Sequence, residues 1–174
     1  MQTKPVNRSR FFWTHVLPLL VWMAVIFLFS SQSYEKQDLR PLLHNQLPEQ
    51  LIVKHLSDVR LYYGGSEVSI RAKGVPSFVE FFIRKSAHLF IYMVLGFLTL
   101  RLAAVFVERK LWLLAVYSLL FCSLYAVLDE LHQMITPHRT SMLTDVLLDT
   151  CGAGIGILIY VVFTRIRHKY GKGA

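Results

Sequence analysis

Apolar residues along this chain fall into runs long enough to cross a bilayer, separated by short polar stretches and one longer one. Residues 11–30 hold about 20 mostly apolar positions, the length a helix needs to cross the hydrocarbon. Runs at 86–107, 111–128 and 146–164 have the same character, so the pattern predicts four transmembrane helices. The first run is long for the apolar core of a signal peptide, and the small-residue site at Ser31-Gln32-Ser33 is weak, so it reads as a retained span.

The polar insert, residues 33–76, is the one sizeable interruption. Its first half has leucines at loose helical spacing broken by Pro41 and Pro48, which suggests short amphipathic helices at the membrane surface. Residues 59–63 and 67–71 flank Gly64-Gly65-Ser66 and read as a small hairpin, with a solvated loop as the competing reading. Ser77 and Glu80 have capping-box spacing, which predicts a helix start near Phe78 and a membrane portion from about Ser86, with Arg101 reaching the far surface. Glu108-Arg109-Lys110 leaves room only for a turn, so the third span returns antiparallel to the second. Gly152 and Gly156 in the fourth span permit close approach of another helix.

Composition agrees with this pattern: 54% of the 174 residues are apolar. The net charge of +8 gathers at the ends of the apolar runs rather than on one basic face with interleaved aromatics, which excludes a nucleic-acid-binding module. Cation density is greater on the side holding both termini, and this places the termini in the cytoplasm and the insert outside. Cys122 and Cys151 lie inside apolar runs without metal-type spacing and read as buried thiols. His15 belongs near the inner boundary, His44, His55 and His138 on the surface, and Trp13, Trp22 and Trp112 at interfaces or in packing. The expected architecture is all-α, one polytopic membrane domain over residues 1–174.

Topology then gathers the polar residues at the outer helix ends. The first helix brings Ser30, Ser31 and Gln32; the second brings Lys85, His88 and Tyr92 on one face. The third brings Tyr125, Asp129, His132 and Gln133 on one face, with Glu130 turned by about 100°. The fourth brings Asp145 and Asp149 on one stripe with Gly152 and Gly156, and Arg139 stands in the short loop above.

The sequence Lys85-Ser86-Ala87-His88 with Tyr92 and Leu95-Gly96, then Leu128-Asp129-Glu130-x-His132-Gln133, then Arg139 and Asp145-Val146 leading to Gly152, resembles the VanZ-like family of bacterial membrane proteins. Phe29-Ser30-Ser31-Gln32 resembles it too, and the likeness runs from Phe11 to about Tyr160. Two positions depart from the family pattern: Pro137-His138-Arg139 where a glycine usually stands between Pro and Arg, and Asp149 where Asn is usual. The resemblance implies an integral membrane protein of the cell envelope, in a family named for a member associated with low-level teicoplanin-type glycopeptide resistance. It implies no settled reaction.

Three readings of the polar cluster compete. Ion pairing among helix ends is one, because charges at membrane depth need partners. A binding site for an anionic lipid or cell-wall-precursor head group is the second, with Lys85, Tyr92, Gln133, Arg139, Asp145, Ser31 and Gln32 as its ligand-binding residues. An intramembrane hydrolase or transferase is the third: Asp129 would orient His132, His88 would face them, and Glu130 would act as an acid. No nucleophile elbow, HExxH helix or phosphate-cradling glycine loop accompanies these residues, and Asp-Glu-x-His is a weak signature for a metal held by His88, Asp129 and His132. No cofactor or metal is assigned. The expected partners are membrane lipids, a lipid-linked cell-wall precursor or glycopeptide, and a second copy of the chain if transport requires more helices.

Overall fold

The computed structural model describes residues 8–106, 111–135 and 142–170. Helix α1 (Arg8–Ser30) is followed by a 3₁₀ turn at Tyr34–Gln37, then α2 (Arg40–Gln46) and α3 (Glu49–Leu56). Strands β1 (Arg60–Tyr63) and β2 (Ser66–Ser69) precede a single turn, α4 (Ile70–Lys73). Three long helices complete the chain: α5 (Val75–Ala103), α6 (Leu111–Met134) and α7 (Leu143–Tyr170). Helices α1, α5, α6 and α7 are each long and apolar enough to cross a membrane, and the protein is a multi-pass membrane protein. Leu20, Phe90, Leu120, Leu124 and Leu158 are each more than half exposed on these helices, an outward apolar surface suited to lipid tails.

Prolines and glycines explain where the local elements differ from expectation. Helix α5 begins at Val75 rather than Phe78: Gly74 takes φ +76° just before it, and Pro76 sits in its first turn, where a missing N–H costs nothing. No side chain caps that end, so the Ser77–Glu80 box does not form, and buried Glu80 instead accepts a hydrogen bond from the Tyr34 hydroxyl at 3.0 Å. Pro41 in the first turn of α2 and Pro48 just before α3 likewise start helices rather than interrupt them. The hairpin is present, with Tyr63 opposite Ser66 and a two-residue turn whose Gly64 and Gly65 both have positive φ. It ends earlier than expected, because Ser69 caps α4 by accepting from the Ala72 amide, and Ile70 and Arg71 are helical. In α1, residues Phe12–Val16 widen into a π turn that ends two residues before Pro18.

Helices α5 and α7 make the most extensive contact in the bundle and run parallel, since α6 carries the chain back between them. Small residues make this possible. A Cβ at Gly152 would fall on the Leu89 carbonyl, one at Gly156 on the Met93 carbonyl, and one at Gly96 on the Ala153 backbone. Helix α1 joins through two aromatic donors: Trp22 Nε1 donates to the Ile91 carbonyl at 2.9 Å, and the Tyr125 hydroxyl to the Met23 carbonyl at 2.8 Å. The core these contacts enclose includes Leu19, Ile26, Tyr92, Leu95, Cys122, Ala126 and Ala153. Cys122 is buried as expected, but Cys151 is exposed. It precedes Gly152, which faces α5, and one residue turns a helix position by about 100°.

The glycine seam yields a differential prediction. Gly156→Ala should push α5 and α7 apart and cost about 1–3 kcal/mol, read as a lowered unfolding midpoint in detergent. Gly154→Ala should be near neutral, because its added carbon meets only Leu119 Cδ1 at 3.9 Å. Equal effects would contradict the seam.

Candidate functional site

Parallel packing of α5 on α7 brings their polar ends together one turn at a time. Lys85 Nζ donates to Asp145 Oδ1 at 2.5 Å, and one turn deeper His88 Nδ1 lies 3.5 Å from Asp149 Oδ1. The hairpin closes over the first pair: the Tyr63 hydroxyl donates to the same Asp145 oxygen, and Lys85 Nζ stands 4.7 Å from the centre of the Tyr63 ring. Burial first, and then this bond to Asp145, raise the Tyr63 hydroxyl above the usual tyrosine range. The contact therefore contributes fully below that usual range and is lost only as pH rises through the raised value. Asp145 also occupies the first turn of α7, where the helix dipole favours a carboxylate.

Beside these residues is a polar cleft of about 360 Å³. Four cations line it (Arg40, Lys73, Arg84 and Lys85) against the carboxylates of Glu80 and Asp145. The Arg40 and Arg84 guanidiniums lie 5.3 and 4.9 Å from the Tyr34 ring centre. Arg40 also grips Asp38 through two side-chain bonds at 2.8 and 2.7 Å, which lower that carboxyl to about 2. Tyr34 is raised by burial and by its bond to Glu80.

A second cavity, of about 420 Å³, lies between α1, the start of the insert, α5 and α6. Ile26, Phe29, Leu39, Ile83 and Ile91 make it mostly apolar, while His88, Tyr92, Asp129 and Gln133 supply polar groups. Asp129 accepts from Gln133 Nε2 at 3.0 Å, and the buried Tyr92 hydroxyl has no hydrogen-bond partner among the described residues. Asp149 is fully buried behind His88. Arg84 lines both this cavity and the polar cleft.

The residues singled out from sequence thus divide between neighbouring places. Lys85 and Asp145 line the polar cleft; His88, Tyr92, Asp129, Gln133 and Gln32 line the apolar cavity. His132 does not line that cavity; it meets Ser31 Oγ at 3.3 Å and packs edge-on against Phe27. Glu130 is buried, although it is turned from the Asp129 face, because its Oε2 accepts from the Met142 amide just before α7. Arg139, Pro137 and His138 lie outside the described residues. Among the described residues, no three His, Cys, Asp or Glu side chains are grouped to hold a metal ion.

The sequence pattern assigns no site role to Tyr34, Arg40, Tyr63 or Arg84 and only a capping role to Glu80; they come together because the insert folds back over α5. Only Arg84, adjacent to Lys85, carried a local signal. Asp149 was visible as a departure from the family pattern, but its partnership with His88 needed the helix register.

Together these features define a multi-pass membrane protein with four candidate spans among the described residues and with buried polar and aromatic residues clustered at one end of the bundle. The family described as VanZ/LLP1 matches residues 14–164, and the chain belongs to that family. Neither the curated proteins nor the solved structures contain a match.

The His88–Asp149 contact can be tested by a double-mutant cycle. His88→Ala should destabilise the protein by about 1–3 kcal/mol, because it removes the polar partner of the buried Asp149 side chain. In an Asp149→Asn background the same change should cost much less, giving a coupling of about 0.5–3 kcal/mol by detergent unfolding. Strict additivity would show that the two side chains do not interact.

Proposed function

We propose that this protein binds an anionic lipid of the cell envelope, holding the charged head group in the cationic cleft and the tail in the adjoining apolar cavity. The observation that carries this reading is the position of Arg84, whose side chain borders both spaces. A guanidinium there meets a phosphate with a planar pair of donors, and Arg40, Lys73 and Lys85 add charge around it. Tyr92, His88 and Gln133 offer hydrogen bonds to the uncharged polar part of the ligand, where tail meets head. A lipid-linked cell-wall precursor belongs to this ligand class, and its capture would connect the site to teicoplanin-type glycopeptides.

Cation density in the flanking segments supports an outward-facing site with both termini in the cytoplasm. Binding is better supported than a hydrolase built on Asp129, His132 and His88. His132 is engaged with Ser31 and Phe27 on a neighbouring face, whereas His88 and Asp129 border the cavity.

Native mass spectrometry of the full-length protein against phosphatidylglycerol, phosphatidylcholine and a polyprenyl-linked precursor tests the reading. Anionic lipids should be retained in preference to phosphatidylcholine, and Arg84→Gln with Lys85→Gln should weaken retention about tenfold or more, given the strength of hydrogen bonds to charged groups. Undiminished retention in that variant would refute the site. Orientation is checked separately: Asp58→Cys, in the exposed part of the insert, should react with a membrane-impermeant maleimide in intact cells. Labelling only after lysis would place the insert inside.

A further inference from the structure

The α5–α7 contact continues to the other end of the bundle, and a second basic cleft lies there, with a volume of about 480 Å³. His15 comes from α1, Phe97 and Arg101 from α5, and Tyr160, Thr164 and Arg167 from α7. No Asp or Glu lines it among the described residues. Its aromatic wall is ordered: Phe97 and Tyr160 meet edge to face at 5.4 Å, and the Arg167 guanidinium stands 5.6 Å from the Phe163 ring centre.

Helix geometry places this cleft at the opposite membrane boundary. At the α-helical rise, Lys85 to Arg101 is about 24 Å along α5, and Asp145 to Arg167 about 33 Å along α7. Those lengths bracket the ~30 Å hydrocarbon thickness, so cations at both ends of the same helix pair stand at head-group level in opposite leaflets. Two arginines from separate helices, with a histidine from a third, make a cationic pocket between membrane helices. Pockets of this kind suit phosphate-bearing head groups, because the guanidinium forks match phosphate oxygens.

We propose that this cleft binds the phosphate of an anionic phospholipid, in the leaflet opposite the site described above. Inorganic phosphate offers the same charge. A lipid is the better fit, because the walls include apolar Phe97, Val105 and Phe163 at the membrane boundary, which a free ion would not use. The inference does not depend on the ligand of the first site.

The test uses the full chain carrying Arg84→Gln and Lys85→Gln, so that the first site is disabled, reconstituted in phosphatidylcholine nanodiscs with phosphatidylglycerol. Native mass spectrometry should show phosphatidylglycerol retained in this background. Adding Arg101→Gln and Arg167→Gln should reduce retention about tenfold or more, while Arg101→Lys with Arg167→Lys should keep most of it. Helical circular dichroism and a single gel-filtration peak check the fold, and the single glutamine variants provide graded losses if the combined one does not fold. Retention that is unchanged without the two arginines would overturn the proposal. So would complete displacement of the lipid by millimolar inorganic phosphate, which would assign the cleft to a free anion.

Discussion

Everything at the polar end of this protein depends on how closely α5 and α7 approach. Gly96, Gly152 and Gly156 leave no side chain between the backbones, and a Cβ at any of them would fall on the facing backbone. Because the two helices run parallel, one close contact sets the register of all the others. Lys85 meets Asp145, His88 meets Asp149, Leu89 lies against Gly152, Met93 against Gly156, and Phe97 against Tyr160. A shift of one residue would turn every partner by about 100° and leave charges facing lipid.

Charge sets the second constraint. An ionised side chain near hydrocarbon needs a partner, and four carboxylates at this end accept hydrogen bonds from distinct ones, while buried Asp149 has His88 at 3.5 Å. Asp145 accepts from Lys85 and Tyr63, Glu80 from Tyr34, Glu130 from the backbone amide before α7, and Asp129 from Gln133. The insert therefore does more than connect two spans. Its hairpin supplies Tyr63 and its first turn supplies Tyr34, so the folded loop provides hydrogen-bond donors to helix-end carboxylates. Arg40 is held by Asp38, and beyond the pairs the cleft is bordered by the further cations Arg84 and Lys73, beside two carboxylates that already have donors. That positive charge is what the proposed anionic ligand would meet.

The sequence by itself determined the parts governed by local rules. Four apolar runs specify four spanning helices because the hydrocarbon admits no unpaired backbone, and Gly64-Gly65 specifies a tight hairpin turn because both positions require positive φ. Helical spacing also grouped Lys85 with His88 and Tyr92, and Asp129 with Gln133, since each group lies on one helix. It misplaced the start of α5, where a proline and a left-handed glycine outweighed a capping pattern whose glutamate serves Tyr34 instead. Tertiary structure alone decided which groups share a space: His132 turned toward Ser31, Arg84 placed between cleft and cavity, and Asp149 matched to His88. Periodicity describes directions around one axis, whereas these contacts depend on the separation and register of two, and only the packed backbones set those.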